Sequence, residues 1–408
     1  MGRVTLIGPN QLASNPRLVR NANALADAGH DVTVIYPDHL TRFRAHDAAV
    51  AAGARWRAQP LDFCTTPVAR LRARFARLRR RVASARGTTP LSDFRLERAY
   101  GYFGPELAAA AAATNPELVI AQQQVTVAAA ARAAAAAGAR YAVDVEDLVA
   151  DSSDEPVSLI RQVEHRFFPD AVFLATMSEA AADRIAELHR PDSRPIVLHN
   201  CMSLAERSTL TPPSGRPLID TLRLYWFGQT IGPHACADVV LRALKCLGRP
   251  AQLTLRGANP HPRYIADLHE LEASLGLREA LRIEAGAPPA DMVKLAGEHH
   301  VCLGTQPGRE LFHQLAIGNK VFTGMMAGCA VALTDTIAHR RLLAQHSGWA
   351  FTFGENDFSM LAAELNRLLT GLGLLATERQ RAWDLSASTF NWEAECGRLL
   401  AAVSSVFR

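Results

Sequence analysis

A chain of 408 residues is longer than one ordinary core organises, so two domains are expected. Hydrophobic residues make up 49% and charged residues 21%, the balance of a soluble globular enzyme, which excludes a disordered or fibrous chain. The net charge of +4 is too weak to point to a nucleic-acid partner, and none is expected.

The seven cysteines (Cys64, Cys201, Cys236, Cys246, Cys302, Cys329 and Cys396) are odd in number and form no CxxC, which reads as reduced thiols in a cytoplasmic protein. The run "VTLI" near the start is too short for a signal peptide, and no apolar run approaches the length of a bilayer span. The tracts "LAAAAAAT" and "VAAAARAAAAAGA" read as soluble helices, because alanine favours helix while adding little hydrophobicity.

In chain order, "RVTLIG" (Arg3–Gly8) is a strand and turn. In the following "SNPRLVRNANALADAG", Ser14 or Asn15 caps a helix, Pro16 opens it and Gly29 closes it. "DVTVIY" (Asp31–Tyr36) returns as a second strand, parallel to the first and joined right-handed. "ARLRARFARLRRRVASAR" predicts a basic amphipathic helix with Leu71, Phe75, Leu78 and Val82 on one face amid arginines. That stripe is expected to pack on its own domain, leaving only weak membrane association through Arg70–Arg86, peripheral to the inner membrane face. Strands follow at Glu117–Ala121, Arg140–Val145 and Ala171–Thr176, alternating with helices over Val125–Gly138, Ser158–Phe168 and Ser178–Arg190, and "RPIVLHN" ends the series.

The Pro-rich "RSTLTPPSGRP" (Arg207–Pro217) reads as a linker. The pattern then restarts with the strand Leu222–Gly228, the helix "CADVVLRALKCLG" and the strand "AQLTLRG". A helix over Tyr264–Leu275, a strand near "LRIEAG", a helix at Asp291–Gly297 and the strand "HVCLGT" follow. "GNKVFTGMMAGCAVALTD" is a loop, short helix, tight turn and buried strand, and helices close the chain. Open parallel sheets bind ligands beyond the carboxyl ends of their strands, so the natural site is a cleft between two such domains.

Residues after each strand are therefore the candidates. Asn319 can cap the short helix, whose free N–H groups from Lys320 to Gly324 suit an anion, with the Lys320 ammonium adding to them. Gly228, Gln229, Gly232 and Pro233 form a glycine-lined turn for a backbone grip on phosphate. Arg256 can fork onto a diphosphate or serve a structural ion pair. In the acidic cluster of Asp144, Glu146, Asp147, Asp151, Asp154 and Glu155, acid after a strand end can bind sugar hydroxyls, position a base or hold a metal; Asp144 and Glu146 sit nearest the expected cleft, and the later acids read as a solvated loop and helix start. Gln122–Gln124 would also face the cleft, as hydroxyl-binding candidates or simply as a wet loop, and Gln123 joins Asn10 and Asn15 of the first turn as an acceptor-side candidate. Arg309, Glu310 and His313 precede the short helix. No HExxH, Cys/His ligand spacing, GxSxG, Walker loop or GxGxxG occurs, so a catalytic zinc or dinucleotide chemistry is not expected.

Four stretches together resemble the retaining GT-B glycosyltransferases of the large bacterial family of sucrose-synthase-like and mannosyl- or glucosyl-transferring enzymes. They are "SNPRLVRNANALADAGHDVTVI", "LYWFGQTIGPHACADVVLRAL", "GNKVFTGMMAGCAVALTD" and "FNWEAECGRLLAAV", which lie along nearly the whole chain. The resemblance implies an α/β GT-B fold, with two Rossmann-like domains facing each other across a cleft. The implied division is residues 1–206, a linker at 207–217, residues 218–387, and a C-terminal helix at 388–408 crossing back to the first domain.

The resemblance also implies transfer of a sugar from a UDP- or GDP-linked donor, with retention of configuration, to a small-molecule or lipid-linked acceptor. No metal or other cofactor is called for beyond that co-substrate. Asp144, Glu146 and Glu310 are the catalytic candidates. Gly228, Gln229, Arg256, Asn319, Lys320 and Thr323 are the donor-binding candidates, and Asn10, Asn15 and Gln123 lie on the acceptor side. The family places a ribose-gripping glutamate where this chain has Thr323, and another acid where it has Leu315. Its glycine turn carries Arg and Lys, against Gln229 through Cys236 here, with His234 near the usual Lys. A sugar-nucleotide epimerase and a non-catalytic nucleotide-binding subunit fit the same frame.

Overall fold

The computed structural model describes residues 1–85, 90–152, 155–216, 221–370 and 372–408. Arg86, Asp154 and Pro217, named above, lie outside the described residues. The chain divides into two compact units, the first made of Met1–Leu198 with Cys396–Arg408 and the second of His199–Glu395.

Unit 1 holds seven parallel strands: β1 (Arg3–Ile7), β2 (Asp31–Asp38), β3 (Arg57–Asp62), β4 (Leu118–Gln122), β5 (Arg140–Glu146), β6 (Leu174–Thr176) and β7 (Ile196–Val197), in the order β3-β2-β1-β4-β5-β6-β7. Its helices are α1 (Pro16–Asp27), α2 (Arg44–Ala52), α3 (Pro67–Ser84), α4 (Asp93–Ala99), α5 (Gly104–Ala113), α6 (Gln124–Ala137), α7 (Val157–Phe167) and α8 (Glu179–His189). The start of α1 follows from local chemistry. Asn15 accepts a hydrogen bond from the Leu18 N–H at 3.2 Å, and Pro16 supplies a pre-set φ where no N–H is needed. Leu18, Ala22 and Leu25 of α1 then pack with Leu6, Val34 and Ile120 of the sheet.

Unit 2 has a six-stranded parallel sheet: β8 (Leu222–Ile231), β9 (Ala251–Pro260), β10 (Leu281–Ala285), β11 (Val301–Gly304), β12 (Ala330–Thr334) and β13 (Ala350–Phe353), in the order β10-β9-β8-β11-β12-β13. Its helices run α9 (Ala237–Lys245), α10 (Pro262–Ser274), α11 (Met292–Ala296), α12 (Leu311–Leu315), α13 (Asn319–Met326), α14 (Ile337–Gln345), α15 (Phe358–Thr370) and α16 (Leu372–Ser388). Leu224, Trp226, Leu253, Leu303, Ala332 and Phe353 share its core.

The last helix, α17 (Trp392–Val406), is separate from α16, and the Asn391 side chain caps it by accepting from the Ala394 N–H at 2.8 Å. Its later residues Leu399, Val403 and Val406 join the core of unit 1. The expected linker is instead docked on unit 2: Arg207 donates to the Trp383 carbonyl at 2.8 Å and stacks over that indole, while Arg216 donates to the Ala327 carbonyl at 2.7 Å. The division falls earlier, at Leu198/His199, where the His199 ring and N–H both bond Glu395, at 3.0 and 3.1 Å.

The arginine helix α3 reverses the expected packing. Ala69, Ala73, Ala76 and Ala83 are its buried residues. The apolar stripe stands in solvent, with Val68 at 76%, Leu71 at 52%, Phe75 at 61%, Leu78 at 57% and Val82 at 66% exposure. Small residues let the α3 backbone lie close against its neighbours. Arg79 forks onto Glu106 of α5 at 2.9 and 2.6 Å, and Arg95 of α4 donates to the Ala83 carbonyl at 3.2 Å.

Candidate functional site

In unit 1 the candidate residues gather at the carboxyl ends of β4 and β5. Asp144 is 2% exposed, and both its oxygens are taken. Arg17 of α1 forks onto them through Nε and Nη2, each at 2.8 Å, and Asn21 donates at 2.9 Å. The third nitrogen of that fork, Nη1, donates to the Leu198 carbonyl at 2.8 Å. Asp144 thus anchors α1 to the sheet, with both oxygens engaged where a catalytic role is expected from the sequence. Sequence reasoning passed over Arg17, although an aspartate inside the otherwise apolar "VDV" signals a buried cation somewhere in the fold.

Glu146 differs. The β5–β6 register slips between Asp144 and Glu146, and Glu146 adopts φ +56°. Gln123 donates to its carboxylate at 2.5 Å and itself sits at φ 64°, ψ 160°, a region that side chains other than glycine's rarely adopt. Two strained residues bonded to one another at adjacent strand ends are the arrangement expected where binding or chemistry needs fixed side chains. Burial, reinforced by Asp144 and against the pull of Arg17, pushes the Glu146 carboxyl up to about 7. Burial likewise pushes neighbouring Asp147 to about 6, with Arg17 opposing.

A carboxyl whose folded pKa exceeds its ordinary 4.5 stabilises the fold below that value, and the benefit is lost as pH rises through about 7. Glu146→Gln is therefore expected to raise Tm at pH 8 and leave it nearly unchanged at pH 5. Thermal melts at the two pH values check this, and equal shifts at both would contradict it.

Gln123 and Asn10 also line a cavity of about 630 Å³ with Arg77 and Arg80 of α3, Tyr100 and Phe103. Asn15 is not among its lining residues; it is buried as the cap of α1, which corrects its acceptor-side reading. Among the described residues, Asp38, Asp62 and Cys64 bring three metal-type atoms within 4.8 Å of one another. Internal bonds account for the cluster: Asp38 pairs with Arg44 at 2.7 Å, and Asp62 accepts from Thr65.

In unit 2 a smaller cavity of about 170 Å³ lies at the start of α13, lined by Lys320, Gly318, His234, His313 and Gln306 among others. The N-cap is Gly318, and Asn319 is the exposed first residue of the helix, not its cap. The Lys320 ammonium lies 5.1 Å from the centre of the Trp226 ring, and burial lowers its pKa below the ordinary lysine value. Burial first, then Lys320, lowers that of His234. For His313, too, burial is the main cause of a lowered pKa, opposed by Glu310 and Glu355. Two neutral imidazoles and one cation thus stand with the positive end of a helix around a small space, an arrangement suited to phosphate.

Gly228 and Gln229 are not in a turn. They continue β8, which pairs with β9 out to Ile231↔Pro260. A side chain at Gly228 would place its Cβ 2.5 Å from the Trp226 ring, so glycine is needed for the indole to lie where it supports Lys320. Gln229 is exposed on the strand.

Arg256 bonds within its own sheet layer, to the Tyr225 hydroxyl at 3.1 Å, the Ala285 carbonyl at 2.8 Å and Glu284 at 2.9 Å, which is the structural ion pair of the two expected arrangements. Glu310 precedes α12 beside His313 and does not line the cavity. Thr323 is 1% exposed and Leu315 6%, and neither lines the cavity. Both positions, where the resemblance implies carboxylates, are thus occupied by packed side chains. Thr323→Glu would bury an unpaired charge, so it is expected to lower Tm by several degrees and not to tighten nucleotide binding. Melts with and without UDP measure both effects.

Residues 13–201 match a family described as glycosyl transferase 4-like domain. None of the curated proteins matches the chain by sequence. Among solved structures, Anabaena HepE in complex with UDP and glucose is similar at TM-score 0.72 and 14% identity, over 99% of this chain and 100% of that one. A glycosyltransferase from Rickettsia africae superposes at TM-score 0.72 with 12% identity, over 100% and 99% of the two chains. Sucrose-phosphate synthase from Thermosynechococcus elongatus gives TM-score 0.71 at 13% identity, with the same coverage of 100% and 99%.

Proposed function

We propose that this GT-B protein, whose residues 13–201 match a glycosyl transferase 4-like domain, moves a sugar from a nucleotide diphosphate to an acceptor hydroxyl with retention of configuration. The observation that carries the reading is the Lys320 cavity at the start of α13, where a leaving diphosphate meets a helix N-terminus, an ammonium and two imidazoles. Anabaena HepE was solved with UDP and glucose, which supports a UDP-linked donor.

Unit 2 holds the donor in this reading, and unit 1 holds the acceptor. No metal is required, because developing charge on the diphosphate is met by Lys320 and the helix dipole. Gln123 and Glu146 orient the acceptor hydroxyl, and a carboxyl held at about 7 is suited to exchange a proton with it near neutral pH. Retention follows from attack on the same face that the diphosphate leaves.

The test is a thermal-shift panel of UDP, GDP, dTDP and ADP, followed by donor hydrolysis with the UDP- or GDP-sugar matching the best binder. A rise in Tm with UDP or GDP and slow release of free sugar are expected. Binding without any hydrolysis or transfer would assign the protein to nucleotide-binding subunits instead.

A further inference from the structure

The exposed stripe of α3 carries an inference of its own. Over Pro67–Ser84 the helix has seven arginines, no lysine and no acidic residue. At about 100° per residue, Leu71, Phe75, Leu78 and Val82 fall within an arc of about 60°. Arg70, Arg74, Arg77 and Arg81 adjoin the arc on one side, and Arg72 adjoins it on the other, beside Arg79, whose guanidinium is held by Glu106. The opposite face is the buried alanine face. An apolar strip in solvent, bordered by guanidinium along both edges, matches the chemistry of a leaflet boundary, with acyl chains beneath anionic headgroups.

No helix among the described residues is long and apolar enough to cross a membrane. At about 1.5 Å per residue, the 18 residues of α3 make a rod of about 27 Å that can lie flat. We propose that α3 docks this protein onto an anionic lipid surface, with the Leu71–Val82 stripe inserted and exposed flanking arginines such as Arg74 and Arg81 on lipid phosphates. Arginine suits that contact because its planar fork grips phosphate oxygens in pairs. The same helix lends Arg77 and Arg80 to the cavity of unit 1, so docking sets that cavity beside the leaflet. Only this last step rests on the glycosyltransferase reading, and it favours a lipid-linked acceptor over a free one.

The experiment is flotation of the intact protein with vesicles of pure phosphatidylglycerol or pure phosphatidylcholine, at low and physiological salt. Binding to phosphatidylglycerol, weakened by salt and much reduced on phosphatidylcholine, is expected. Phe75→Asp is expected to lower partitioning about tenfold or more, and Arg74→Gln with Arg81→Gln about tenfold at low salt. All three positions are exposed, so Tm should not move. Failure of the folded protein to float with phosphatidylglycerol, or equal flotation of Phe75→Asp, overturns the proposal. So does a lipid-free dimer in sedimentation velocity that Phe75→Asp converts to monomer, which would assign the stripe to a second copy. UDP affinity measured on the same variants keeps the two readings apart, since vesicle binding without nucleotide binding defeats the transferase reading alone.

Discussion

Arg17→Met is expected to destabilise unit 1 by about 3–5 kcal/mol, the largest effect of any single change considered. The guanidinium is almost fully buried, and two of its nitrogens fork onto Asp144. Its removal leaves a carboxylate in the interior with, among the described residues, only Asn21 donating to it. Most of the loss comes from that orphaned charge and less from the lost bond itself. A double-mutant cycle with Asp144→Leu separates the two: the double variant should recover much of the stability lost by either single one. Urea unfolding of the four proteins is the measurement. Additive losses would mean that the pair is not coupled and that Asp144 has another task.

Lys320→Ala is expected to weaken UDP or GDP binding by about 1–3 kcal/mol, the range of one charge-assisted hydrogen bond. The ammonium is partly desolvated over the Trp226 ring, and its lowered pKa marks a cation short of solvent that an incoming phosphate would satisfy. The chain has three lysines, Lys245, Lys294 and Lys320, against many arginines, so a lysine at this helix start is a departure from its own habit. Calorimetry of both proteins with UDP decides the matter, and equal affinities would remove Lys320 from the donor site.

Much of the fold could be read from the sequence because its signals are local. The Asn15–Pro16 start of α1, the apolar strands β1, β2, β4 and β5, and the Gly328 turn after α13 each depend on neighbouring residues. β3 escaped because "RAQPLD" is an edge strand with a proline and no alternation, and β13 because four residues are too few to show a period. The site was less legible. Asp144 and Arg17 are 127 positions apart, and nothing local to either names the other. Positive φ is signalled by glycine, so Gln123 and Glu146 gave no warning of their strained backbone. On α3, the periodicity reports an apolar face without saying whether that face or the alanine face meets the rest of the unit.

The all-arginine character of α3 also fixes how its charge can be controlled. A guanidinium keeps its proton across the whole physiological pH range, and it offers no amine for acetyl transfer. Neither acidification nor lysine-directed modification can therefore discharge this helix. The remaining controls lie outside the protein: the ionic strength around it and the anionic fraction of whatever surface it meets. A cell that changed its phospholipid headgroups would retune such a helix without touching its gene.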